Sequence, residues 1–319
     1  MPGVPKYPQN TAMNPATPVP VAPTGISRFW ADLKSPDFAR LDLARSIAVL
    51  PVAAIEQHRP HLPLNVDATL VDGVIAAALP HLPADLPVLF LPTQSIGLSP
   101  EHARFAGTLT LKSDTVIRLW TELAEAVAHS GIQKLVLLNS HGGQVGLLDV
   151  VARDLRARLG MLVYSVSWFN LPLIDEDGDS VADQFSAQEH RFGIHAGEIE
   201  TSMMLALKPE QVDMAKAQDF YSTSQDRAQK FSLLGDGRSA KLGWQMQDYN
   251  PQGRCLFGRS AALRCLPIAG YWQRTGTLRS PAPRATVRIM RQNRSRQAPK
   301  RATWAPIQST FKTCGANLP

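Results

Sequence analysis

Short apolar runs alternate with stretches of helical periodicity along the first half of the chain. Residues 46–52 (SIAVLPV) are apolar and partly β-branched, the pattern of a strand buried on both faces. Residues 67–79 then place Ala, Leu and Val at helical spacing, and Pro80 stops them. A second short strand is predicted over 88–91 (VLFL). Ser113 or Asp114 is positioned to cap a helix that carries Val116, Trp120, Leu123 and Val127 on one face and ends at Gly131. Residues 132–138 (IQKLVLL) form the next predicted strand and run directly into Asn139-Ser140-His141-Gly142-Gly143. A helix over 144–159 is closed by Gly160, and 161–169 (MLVYSVSWF) is a further strand. This β-α-β-α-β-α-β order predicts an α/β fold with a mostly parallel sheet. In such sheets functional groups gather beyond the carboxyl ends of the strands. His58 and His141 fall there.

Three clusters carry candidate chemistry. The first is Glu56-Gln57-His58-Arg59-Pro60-His61 followed by Asp67. Glu56 and His58 are two apart, so an extended segment puts both on one side. Asp67 sits at a helix start and has capping as its structural alternative; His61 has the alternative of a packed loop histidine. The second cluster is the Asn-Ser-His-Gly-Gly run, whose glycines imply a close approach to the backbone. The third is His195-Ala196-Gly197-Glu198-Ile199-Glu200, opening an apolar helix. A helix N-terminus favours carboxylates, but residues two apart on a helix lie roughly 200° apart. Glu198 and Glu200 should therefore face different ways. Imidazole and carboxylate together suit zinc, manganese or iron. Metal-assisted hydrolysis is the reaction class these groups serve best.

The stretch from Pro51 to Asp67 (PVAAIEQHRPHLPLNVD) resembles the signature of the creatininase, or creatinine amidohydrolase, family. So do, in order, the runs beginning at Ser99 (SPEHARFAGT), Asn139 (NSHGG) and His195 (HAGEIETS). The resemblance implies a three-layer α/β/α sandwich and a metal-dependent amidohydrolase that cleaves cyclic amides or related C–N bonds. It also implies two divalent ions per chain and assembly into homo-oligomers, often hexamers. Carried over residue by residue, Glu56, His58, Asp67 and His141 are expected metal ligands, with Asp67 bridging. Creatininase itself has a Glu where this chain has Gly143, and Glu198 is expected to supply the missing carboxylate. His195 resembles the general acid/base. Ser99, Glu101, His102 and Trp168 are expected around the substrate, Trp168 with a core position as its alternative. Arg59 departs from the glycine usual at its position. The segment before His195 lacks features of creatinine-cleaving members, which turns the expected substrate toward another small amide, a formamide or a modified peptide.

Composition changes this picture mainly at the ends. The first 25 residues hold seven prolines and no apolar signal core, and read as a disordered leader. The whole chain has 319 residues and a net charge of +6, but the 66 residues from Arg254 carry 13 Lys and Arg and no acid. The rest is mildly acidic. The expected organisation is a leader over 1–25, a metal-hydrolase domain over 26–253 and a basic tail over 254–319, divergent or frame-shifted and disordered. The tail invites a nucleic-acid-binding alternative, ranked low because it has no recognition motif and the body is acidic. All three cysteines (Cys255, Cys265, Cys314) lie in the tail, so the body has neither disulfides nor thiolate ligands. That fits a cytoplasmic location. No apolar run is long enough to span a membrane.

Overall fold

The computed structural model describes residues 26–172, 180–193, 195–218, 221–235 and 239–250. The expected leader and basic tail lie outside them. The four strands are β1 (Ile47–Val52), β2 (Val88–Phe90), β3 (Lys134–Asn139) and β4 (Leu162–Ser167). They form one sheet in the order β2-β1-β3-β4, every pair parallel. Between them run α1 (Val66–Ala78), α2 (Ser113–His129) and α3 (Val145–Leu159). Four shorter helices follow: α4 (Ala187–Phe192), α5 (Glu198–Leu207), α6 (Thr223–Lys230) and α7 (Met246–Tyr249).

Two apolar clusters sandwich the sheet, which explains why its central strands show no polar alternation. Ile47 and Val49 of β1, with Val136 and Leu138 of β3, face α1 and α5 through Leu70, Val74, Met203 and Met204. Ala48, Leu50 and Val52, with Leu135 and Leu137, face α2 and α3 through Val116, Trp120, Leu148, Val151 and Leu155. The chain thus builds the three-layer α/β/α sandwich expected from its sequence.

Element boundaries differ from the pattern in small, interpretable ways. Ser113 is the first residue of α2, and Lys112, at the N-cap, makes no side-chain cap bond; neither Ser113 nor Asp114 caps. Asp67 is the second residue of α1, behind an uncapped Asn65, so it does not cap that helix either. Gly160 closes α3 in the left-handed conformation at φ +68°. The apolar run over 161–169 remains a strand only to Ser167, because Trp168–Asn170 turn into a short 3-10 helix. Among the described residues no helix is long and apolar enough to cross a membrane.

Candidate metal centre

The loops beyond the carboxyl ends of β1 and β3 bring the first two clusters together, and the N-terminus of α5 closes the third over them. After β1 the chain is pinned by backbone bonds. Leu109 N–H donates to Ile55 O (2.8 Å), and Glu56 N–H donates to Leu64 O (3.1 Å). Glu56, His58, Asp67, Glu101, His102, His141 and His195 are all buried.

Glu56 stands at the centre. Its Oε1 lies 3.9 Å from His58 Nε2, 3.6 Å from His102 Nε2 and 3.6 Å from His195 Nδ1. Its Oε2 lies 3.3 Å from His141 Nδ1. Asp67 reaches His141 Nδ1 at 3.2 Å and His58 Nε2 at 3.8 Å, and Glu101 reaches His141 Nε2 at 3.0 Å. Three sets of ligand atoms converge: Glu56, His58 and His195; Glu56, Glu101 and His141; and His58, Asp67 and Glu200.

Hydrogen bonds around the centre set the histidine tautomers. His58 Nδ1 lies 3.0 Å from the Glu56 carbonyl, so it carries the proton and leaves the Nε2 lone pair facing Glu56 and Asp67. His195 Nε2 lies 2.5 Å from the Gln57 carbonyl, leaving Nδ1 as the lone-pair nitrogen toward Glu56. The Gln57 amide is oriented by Arg59 N–H, which donates to Gln57 Oε1 at 2.9 Å. Gln57 Nε2 therefore donates to His102 Nδ1 (3.3 Å), and the His102 proton sits on Nε2 beside Glu56. Asn139 holds His141 from both sides: Oδ1 accepts from His141 N–H (3.1 Å) and Nδ2 donates to His141 O (2.7 Å). Gln144 Nε2 donates to the same Asn139 oxygen at 3.0 Å.

The electrostatics of the bare cluster are those of a site short of positive charge. Burial, reinforced by Asp67, drives the Glu56 pKa well above the carboxylate range. Burial, again with Asp67, raises Glu200 to about 8. Burial opposes the His141 imidazolium, but Glu56, Asp67 and Glu101 outweigh it and raise that pKa well above the ordinary range. Burial lowers His58 and His195, the latter strongly, and takes His102 to about 2. Buried His58 Nε2, Glu56 Oε2 and Asp67 Oδ2 complete no hydrogen bond. Burying several carboxylates with only the His141 imidazole raised to balance them is costly unless cations join them. This donor set, with its unsatisfied inward atoms, fits divalent metal ions.

Most expected site residues meet here, with three changes. Glu198 is buried but is in none of the three ligand sets; α5 turns Glu200 toward His58 and Asp67 instead. Glu200 also accepts a hydrogen bond from Ala196 N–H, folding it back over the helix start. Glu101, expected to line the substrate pocket, joins the carboxylate–imidazole cluster through His141. A Cβ on Gly143 would fall 1.7 Å from Glu101 Oε1, so the glycine makes room for that carboxylate. Trp168 lies in the core, 3% exposed, with its indole N–H donating to Ser140 Oγ (2.9 Å). Ser99 is buried with its hydroxyl beside Glu56, where it favours the carboxylate form. His61 is the packed loop histidine of its structural alternative: Nε2 meets Thr201 Oγ1 at 3.0 Å and ties the first loop to α5.

An α/β/α sandwich with imidazoles and carboxylates converging at its strand ends is the framework of a metal-dependent enzyme. Comparison with known proteins shows the family. The family profile described as "Creatininase: Creatinine amidohydrolase" matches residues 31–263, and the chain belongs to that family. It is 32% identical over 187 residues to a mycofactocin precursor peptide peptidase of Mycobacterium tuberculosis, covering 57% of this chain and 66% of that protein. It thus spans just under two thirds of that relative's length. It is 28% identical over 191 residues to a creatinine amidohydrolase of Pseudomonas putida, covering 57% of this chain and 72% of that protein. A solved creatininase mutant described as Zn-Zn type superimposes with a TM-score of 0.56 at 23% identity, over 76% of this chain and 94% of its own. That likeness confirms the fold.

Proposed function

We propose that this chain is a divalent-metal-dependent hydrolase that cleaves a C–N bond in a small cyclic amide, formamide or related amide. The carrying observation is the convergence of Glu56, Asp67, Glu101 and Glu200 on His58, His141 and His195 at the strand ends. Glu56, His58, Asp67, Glu101, His141 and Glu200 would hold two ions, zinc, manganese or iron, with Glu200 in the place first expected for Glu198. Bound there, such ions would supply Lewis acidity that lowers the pKa of a bound water toward about 7 and polarises an amide carbonyl.

The remaining groups orient and move protons. His195, its Nε2–H held on the Gln57 carbonyl, directs Nδ1 into the cluster. Nδ1 takes a proton from the attacking water and returns it to the leaving nitrogen, a role worth about 10²–10⁴ in rate. His102 presents Nε2–H 3.6 Å from Glu56 Oε1, where it can donate to a substrate oxygen. Neither histidine is protonated at neutral pH in the bare site, since burial lowers both. Each is therefore a neutral imidazole, with the His195 lone pair on Nδ1 and the His102 proton on Nε2.

A second reading keeps the site and changes the substrate to a modified peptide. It is supported by the 32% identity to a peptidase named for a precursor peptide. A panel of cyclic amides, formamides and short peptides, assayed with added Mn²⁺ or Zn²⁺, separates the two. Chelator-sensitive turnover of a non-peptide amide supports the first reading. Turnover confined to peptides transfers the function to the second, and chelator-resistant turnover contradicts both.

A further inference from the structure

We propose that Arg59 is a positioning residue: its guanidinium clamps the backbone of His195 and thereby aims the His195 imidazole. The inference deepens the hydrolase reading, since His195 is the proton carrier there, but it stands on its own geometry. Two described non-glycine residues have positive φ, Arg59 at 59° and Ala196 at 50°. One follows a proposed ligand, His58, and the other follows His195. Left-handed conformations at residues with a Cβ persist where surrounding structure over-determines them, and they cluster at functional sites.

Arg59 joins these two strained positions. Its side chain is buried, and its Nη2 donates to the His195 carbonyl at 3.2 Å. From the other side, His195 Nε2 lies 2.5 Å from the Gln57 carbonyl, and Arg59 N–H fixes the Gln57 amide at 2.9 Å. Residues 57–59 thus grip His195 at ring and backbone together. A glycine at position 59 would adopt φ 59° without steric cost, so backbone shape alone does not call for arginine. What arginine adds is a planar cation that bonds a carbonyl across the two loops. The guanidinium also acts on Glu189 and Glu200, favouring the charged form of both. Glu189 in turn accepts from Ile199 N–H at 3.2 Å, at the start of α5. The cation therefore sits where the His195 turn, α4 and α5 meet.

The test reads the His195 ring directly by proton NMR. An imidazole N–H in a 2.5 Å bond to a carbonyl should give a downfield resonance protected from exchange, assigned by its loss in His195→Ala. In Arg59→Gly, circular dichroism should show a folded chain, while this resonance broadens or disappears through exchange. Added methylguanidinium should restore it by filling the vacated position. Arg59→Lys, which keeps the stem and a charge but loses the planar fork, should weaken the resonance in the same direction and covers the case in which the glycine variant fails to fold. Zn²⁺ affinity should fall by about 10–100-fold in Arg59→Gly, the usual effect of losing an outer-shell partner. A protected resonance unchanged in both variants, or absent from the wild-type protein, overturns the proposal. Wild-type protein that binds no Zn²⁺ but shows the Arg59-dependent resonance would instead contradict the hydrolase reading alone.

Discussion

Replacing Glu200 by glutamine separates the carboxylate that the fold turns into the cluster from the one beside it. In the metal-free protein burial raises the Glu200 pKa from 4.5 to about 8. That displacement corresponds to at most roughly 5 kcal/mol against the carboxylate, an upper bound because the residue as a whole is only half-buried. At pH 7 the group is mostly the neutral acid, and ionising it costs about 1.4 kcal/mol. Glutamine has nearly the shape of that neutral acid, and its Oε1 can still accept from Ala196 N–H. The melting temperature of chelated Glu200→Gln should therefore stay within about 4 °C of wild type. Its Zn²⁺ affinity, measured by competition with a chromophoric chelator, should fall at least about 100-fold, the upper end of an outer-shell loss. Glu198→Gln should change that affinity by no more than about tenfold, the lower end of an outer-shell loss. Retained Zn²⁺ binding in Glu200→Gln together with its loss in Glu198→Gln would refute the assignment.

Asp67→Asn keeps the size but removes charge from a residue 3.2 Å from His141 and 3.8 Å from His58; elemental analysis should find both metals lost, and a variant retaining two per chain would exclude a bridging role. Gly143→Ala should force the Glu101 carboxylate aside, since the new Cβ would sit 1.7 Å from its Oε1; Zn²⁺ titration should show weakened binding, whereas unchanged binding would remove Glu101 from the ligand set. The chelated protein should lose stability as pH rises from about 6.5 to 8. In that window the folded chain holds protons on Glu56 (raised), Glu189 (about 7), Glu200 (about 8) and His141 (raised) that the unfolded chain has released. Below about pH 6 the depressed pKa values of His58, His61, His102 and His195 reverse the trend, because the unfolded chain then binds more protons. Melting curves of chelated protein should thus peak near pH 6–6.5, and a rise in melting temperature from 6.5 to 8 would contradict these shifts.

Much of the architecture is legible along the chain because a sheet buried on both faces needs continuous apolar strands. Residues 46–52 and 132–138 supply them, and the α2 stripe of Val116, Trp120 and Val127 faces one side as its spacing predicts. His58 and His141 could be placed at strand ends from the same pattern. The choice between Glu198 and Glu200 could not be made from helical spacing alone. It depends on how α5 is rotated against α1, and tertiary packing through Met203 and Met204 fixes that. Glu101 as a partner of His141 was hidden for a similar reason, although a glycine at 143 was its available signal. The roles of Gln57 and Gln144 rest on hydrogen bonds between segments far apart in sequence, which no local pattern records. Arg59 was visible as a departure from glycine, but its left-handed backbone and its bond to His195 appear only in the fold.

The most direct test of the metal centre is elemental analysis of protein stripped with a strong chelator and reconstituted with Zn²⁺ or Mn²⁺, with melting temperature followed in parallel. A ligand that binds only the native state raises stability by RT ln(1 + [L]/Kd). The account predicts two divalent ions per chain, a lower melting temperature after stripping and its recovery on reconstitution. Fewer than one ion per chain after reconstitution, with a melting temperature indifferent to chelator and metal, would contradict it.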